Sequence, residues 1–190
     1  AGVILLQRGS GSQVLASSAR EEASYREMAD YPNEEDYINK ITGSFDEDKF
    51  SKVYNAWRES VDAQKQEEGY ADGLETFFIA SIREFLSGKE GNRVYSPLNV
   101  YMALSMLAEL TDGDSRQQIL DLLDTEDMET LREQAKAIWN AQYRDDGATT
   151  SILASSLWLD QDVDYNSSVL DLLAENYYTS SYQGEMGSSR

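Results

Sequence analysis

Between Asp160 and Asn166 the chain sets Asp160, Asp162, Asp164 and Asn166 at alternate positions. Side-chain oxygens at every second residue are what a calcium loop offers its ion. Two further positions do not follow. Tyr165 stands where the sharp turn needs glycine, and Asp171 stands where a bidentate glutamate closes such a loop. A solvated turn, with Asn166 capping the next helix, accounts for the same residues, and no metal is expected. Glu34-Glu35-Asp36 and Asp46-Glu47-Asp48 also bring carboxylates together. Paired-carboxylate hydrolysis needs a pocket that nothing in the pattern supplies, so both read as solvated charge runs. The chain has no histidine and no cysteine. A Ser–His–Asp triad, a histidine-containing zinc site and thiol catalysis cannot be built from it alone. We expect no catalytic residue, no cofactor and no enzymatic activity.

Sixteen basic residues stand against 35 acidic ones, a net charge of −19 over 190 residues. That field repels phosphate backbones, so nucleic acid is not an expected partner. It equally disfavours anionic membrane surfaces, and no apolar run is long enough to span a bilayer. The missing cysteines exclude a disulfide framework but say little about compartment. Val3 to Leu6 is too short for the core of an export signal, yet Val14 to Ala19 has the small-residue texture of a cleavage neighbourhood. Residues 1–19 therefore read as a flexible leader or truncated export signal, and an extracellular location is expected.

From Glu21 to Asp72 there are 15 acidic and 6 basic residues, a local net of −9, interleaved with Tyr31, Tyr37, Phe45, Phe50, Tyr54, Trp57 and Tyr70. Phe50, Val53, Tyr54 and Trp57 fall at helical spacing, which predicts an amphipathic helix near Asp46 to Ala63. This acidic extension, residues 20–71, either packs its stripe on the main domain or serves as a docking arm for a basic or surface partner. A helix from Leu74 to Leu86 should bury Leu74, Phe77, Phe78, Ile82, Phe85 and Leu86, with Gly88 as its stop. Ser96 is a good N-cap, and Pro97 takes the first helical position, where a missing N–H costs nothing. Leu98 to Leu110 is apolar on nearly every side, so this helix belongs inside a larger body. Gly113 closes a turn, and Ser115 with Gln118 reads as a capping box opening a helix with Ile119, Leu120, Leu122 and Leu123. Met128 to Tyr143 is amphipathic through Met128, Leu131, Ala135, Ile138, Trp139 and Gln142. Ile152 to Leu159 is apolar on both alternating faces, which predicts a strand covered on both sides.

Several of these stretches resemble the serpin family. Asn92-Arg93-Val94-Tyr95-Ser96-Pro97-Leu98 is similar to the N-x-x-x-S-P-[LV] entry to that family's central helix. Gly113-Asp114-Ser115 with Gln118-Ile119 is similar to the G-x-T-x-x-Q-[IM] that follows. Ser151 to Leu159 resembles the A-N-x-[LI]-[WF] strand, with Ser155 where asparagine is usual. Asn166 to Tyr178 resembles the next helix, and Ser180 to Met186 an edge strand. Leu74 to Leu86 fits the first helix. These elements, in the family's order, cover about residues 72–190.

The resemblance implies an α+β fold, here mainly the N-terminal helices with two or three strands of an incomplete sheet. It implies inhibition of serine or cysteine proteases as a suicide substrate: an exposed reactive loop is cleaved, then inserts as a strand and carries the acyl-enzyme along. The family's reactive loop lies far toward the C-terminus, so residues 72–190 read as the N-terminal part of a serpin domain whose reactive loop lies outside this chain. The target protease would be met through that loop. By the same resemblance, the region that controls sheet opening includes Asn92, Ser96, Pro97 and Asn99. The family commonly has serine at the place of Asn99, and Gly-Ala or Gly-Thr where this chain has Leu110-Thr111. Some serpins bind sulphated polysaccharides through a basic helix matching Met128 to Tyr143. Here Glu129, Arg132, Glu133, Lys136 and Arg144 nearly cancel, so glycosaminoglycan is not an expected partner.

Overall fold

Ser96 and Pro97 start the central helix as their chemistry requires. In the computed structural model, which describes residues 17–88 and 91–185, the Ser96 hydroxyl accepts from Asn99 N at 3.3 Å and helix α3 runs over Pro97–Glu109. Tyr101, Met102, Ser105 and Ala108 are buried. Four helices contact α3: α2 (Glu75–Leu86), α4 (Gly113–Leu123), α5 (Met128–Gln142) and α6 (Ser167–Tyr177). α5 is capped by Asp127, which accepts from Thr130 N at 2.8 Å. It turns Leu131, Ala135, Ile138 and Trp139 wholly inward. That stripe is the centre of the core. Burying four such side chains is worth roughly 1.5–3 kcal/mol each for the larger ones.

α3 has one open flank. Leu107 and Leu110 are each 44 % exposed, and Ala103 is exposed beside them. The apolar face expected on Leu74 to Leu86 is likewise split. Leu74 and Phe77 are buried, whereas Ile82, Phe85 and Leu86 face outward.

The capping box expected at Ser115 is not formed. Helix α4 covers Gly113–Leu123, with Asp112 at the cap position, so Ser115 lies inside the first turn. The reason is Arg116, whose guanidinium donates to Ala108 O at 3.0 Å and to Thr111 O. It thereby satisfies carbonyls left over at the end of α3, and this fixes where α4 begins.

Five strands form two small sheets among the described residues: β1 (Ser17–Glu21), β2 (Arg144–Asp145), β3 (Thr150–Ser151), β4 (Ser155–Asp160) and β5 (Thr179–Gly184). The order of the larger sheet is β1-β5-β4. β4 and β5 are parallel, joined by α6, with Leu157 opposite Ser181 and Trp158 opposite Tyr182. β1 pairs antiparallel on the other side of β5, with Ala19 opposite Tyr182. Ser17 to Ala19 thus belong to a strand, while residues 1–16 of the stretch read as a leader lie outside the described residues, as does Met186.

β4 is covered on one side only, a departure from the expectation for Ile152 to Leu159. Leu157 packs toward the core, but Trp158 is 48 % exposed and stacks on Tyr182 at 4.8 Å on the open face. Ile152 to Ala154 precede the strand. Their place is set by Trp139, whose indole N–H donates to Leu153 O at 3.0 Å.

The acidic extension packs on this body. Helix α1 (Glu47–Asp62) starts at Asp46, which accepts from Lys49 N at 3.1 Å, and buries Trp57 and Val61. The turn between β2 and β3 receives it. There the buried Asp146 accepts from Ala148 N at 3.0 Å, Thr149 N at 2.8 Å and the Arg144 guanidinium.

The candidate sheet-opening region

The four residues assigned to sheet opening gather at one end of α3. Pro97 is half-buried, whereas Asn92, Ser96 and Asn99 are exposed. Ser96 O accepts from Val100 N at 3.2 Å, and its hydroxyl from Asn99 N, so the helix starts without a free N–H at either position. Just before it, the Tyr95 ring stacks on Phe85 of α2 at 4.6 Å and 13°. The Tyr95 hydroxyl is buried with no hydrogen-bond partner. The loop is therefore held by α2.

α3 meets the described sheet elsewhere. The Thr179 hydroxyl at the start of β5 lies 2.9 Å from the Met106 sulfur. Met106 is ten residues along from Ser96, or roughly 15 Å at the helical rise. Among the described residues, no hydrogen bond joins Asn92, Ser96, Pro97 or Asn99 to a strand.

The polar centre beside that junction had no signal in the sequence beyond a glutamate inside an apolar run, which is itself unusual. Glu109, on the last turn of α3, is buried. Its Oε1 accepts from Arg132 Nε at 2.7 Å and from the Tyr177 hydroxyl at 2.8 Å, and its Oε2 accepts from Arg132 Nη2 at 2.9 Å. One carboxylate thus joins α3, α5 and α6. Burial raises Tyr177 above its ordinary pKa of 10, and the nearby Glu109 charge adds to this. The hydrogen bond that Arg132 donates to Glu109 leads in raising the guanidinium's pKa in turn. Tyr101, in the same core, is pushed up to about 12 by burial. All three shifts favour the species drawn here, two neutral phenols and a charged guanidinium. These groups hold helices in register, with no nucleophile or acid–base pair facing a cleft.

The Asp160 to Asn166 loop behaves as a turn. Asp160 Oδ1 accepts from Asp162 N at 3.0 Å, and Asn166 caps α6 by accepting from Ser168 N at 3.1 Å. The Gln183 side chain spans the loop through Asp160 O, Gln161 O and Val163 O. Among the described residues, no group of three or more acidic side chains converges on a metal-sized site. No described helix is long and apolar enough to cross a membrane.

Comparison with known proteins places this arrangement. Arabidopsis AtSerpin1 in its native stressed conformation superposes with a TM-score of 0.52 at 22 % identity, covering 63 % of this chain and 31 % of that one. Human glycosylated kallistatin gives 0.47 at 20 % identity, over 60 % and 31 %. The chain thus spans about a third of the length of these structures. No curated protein matches the sequence. The match to the family description Serpin (serine protease inhibitor) covers residues 72–186, taking in α2 to α6 and both parallel strands, so the chain belongs to the serpin family.

Proposed function

We propose that residues 72–190 are the N-terminal part of a serpin that inhibits serine or cysteine endopeptidases as a suicide substrate, through a reactive loop carried outside this chain. Serpins are generally protease inhibitors rather than enzymes. The observation that carries the reading is the sheet edge. β4 ends the order β1-β5-β4, so its outward backbone groups are where further strands join, and an open edge is a template for strand addition. In this mechanism the protease nucleophile attacks the scissile carbonyl of the loop and the amine side of the cleaved bond departs. The loop then inserts as a strand while the acyl bond to the protease persists. Asn92, Ser96, Pro97 and Asn99 are proposed as the opening region, acting through the setting of α3 against α2. We place the protein outside the cell, in keeping with a family that includes secreted members.

The test uses the complete protein and a panel of serine and cysteine proteases. A complex that survives denaturing electrophoresis is the expected result. Cleavage of the protein by every member, with no stable complex, would overturn inhibition. It would favour a non-inhibitory binding module that uses the acidic arm. That second reading has its own support. Glu34, Glu35 and Asp36 lie close to a tip where Ile41 is 96 % exposed and Ile38 and Phe45 are more than 40 % exposed. An apolar point ringed by acids suits a basic partner.

A further inference from the structure

The extension lies along the domain with a contact at least every second residue from Glu21 to Tyr31. Glu21 pairs with Ser181 in the sheet. Ala23 N donates to Ser180 Oγ at 3.1 Å. The Tyr25 ring sits 5.2 Å from Trp139, Arg26 O accepts from the Tyr143 hydroxyl at 2.9 Å, and the Met28 sulfur meets Asp145 N at 3.3 Å. The last point is the tightest. The Trp57 indole N–H is shared between Ala29 O at 2.9 Å and Asp146 O at 3.1 Å. It pins the extension and the β2–β3 turn with one donor. Gly147 sits under that crossing with φ +77°, and a Cβ there would lie 2.5 Å from Tyr31 N and 3.0 Å from Asp30 Cα. The Tyr31 ring closes edge-on over Trp57 at 5.0 Å.

β1 is short and irregular by comparison. Its five residues pair with β5 on one side only, and the register shifts between Ala19 and Glu21. An isolated strand pair of this size is marginal in water. Its occupancy depends on the effective concentration at which the tether presents it. We infer that residues 17–62 form a strap. The Trp57–Gly147 crossing is its buckle, and holding the buckle closed is what keeps β1 on the outer edge of β5. With the strap closed, β5 is an interior strand. With it open, β5 becomes an exposed edge.

Hydrogen exchange of the complete protein, followed peptide by peptide, tests this. Trp57→Phe removes the shared donor and leaves Gly147 untouched. It should accelerate exchange at least tenfold both at residues 29–33 and in Thr179–Gly184, for the amides facing β1, with α5 and α6 unchanged. Gly147→Ala should do the same through the backbone clash. Coupling is reciprocal, so Ala19→Pro, which breaks only the strand pairing, should loosen residues 29–33. Release of residues 29–33 by Trp57→Phe with β5 still protected would overturn the strap, as would Ala19→Pro leaving the buckle tight. No acceleration anywhere would equally sink it, and so would a uniform acceleration through α5 and α6.

Discussion

Arg132→Met puts the buried carboxylate of Glu109 to the test. The substitution keeps an unbranched apolar stem along α5 and removes both donors, at 2.7 and 2.9 Å. Glu109, its side chain 4 % exposed, is left with Tyr177 alone. Removing one partner of a buried pair costs about 3–5 kcal/mol. The Arg132 side chain is 34 % exposed, so water can reach the vacated end, and we take roughly 2–3 kcal/mol after screening. Glu109→Gln with Arg132→Met removes both charges and keeps a side-chain oxygen to accept from the Tyr177 hydroxyl, and should fall within about 1 kcal/mol of the parent. The urea midpoint of the complete protein, followed by circular dichroism, reads both. With a slope near 2 kcal/mol per molar, the single variant should lose roughly 1–1.5 M and the double variant should regain most of it. With the Glu109→Gln single variant measured as well, the double variant's change minus the sum of the two single changes is the coupling energy of the pair. If the single variant shifts by less than about 0.5 kcal/mol, or the double variant is worse than the single, the carboxylate is not held as described.

Ser96→Ala should destabilise the complete protein by about 1 kcal/mol through loss of the α3 cap, with Ser96→Asp close to neutral, both read by thermal melting. Tyr101 and Tyr177 have pKa values raised above their ordinary 10. The stability they contribute is complete below pH 10 and is lost as pH rises through their folded values. A phenolate absorbance titration should therefore show both unionised at pH 10 and Tyr101 ionising near pH 12, and Tyr101→Phe should remove that late step. Asp146 behaves oppositely. Burial alone would raise it, but the Arg144 guanidinium and the amides of Thr149 and Ala148 hold it below its ordinary 3.8. Its contribution is present above pH 3.8 and fades as pH falls through the lower folded value. The environment of Trp57, read by near-ultraviolet dichroism, should loosen in that window, and Asp146→Asn should abolish the dependence.

Much of this fold was legible because its helices carry their own punctuation. Ser96-Pro97 and Asn166 each set a start within a few residues. The Leu131, Ala135, Ile138 and Trp139 stripe named the core. What was not legible depended on distant partners. Ser17 to Glu21 has no strand pattern, and only the edge of β5 makes it one. Ser115 reads as the cap locally, but Arg116 reaching back to α3 moves the start of α4 to Gly113. The two-sided cover expected for β4 followed from its apolar residues, but Trp158 and Tyr182 satisfy each other on the open face. At the candidate site, the chemistry of Ser96, Pro97 and Asn99 was readable as a helix start. The polar joint at Glu109 was not, because Arg132 and Tyr177 lie 23 and 68 residues away along the chain.

Separation along the chain also has a consequence in time. Arg20 and Gln183, joined by a side-chain hydrogen bond across β1 and β5, are 163 residues apart. At 5–20 residues per second on a ribosome, roughly 8–30 s pass between the emergence of one and the other. Trp57 waits less, since Asp146 follows 89 residues later, about 4–18 s at the same rates. During synthesis, the indole therefore finds its carbonyls before the first strand finds its edge. A nascent chain stalled between these two points would carry a docked α1 and an unclaimed β1. Proteases and chaperones in the cell have their best access to the acidic segment before Asp146 emerges, and in the interval that follows the accessible part is β1.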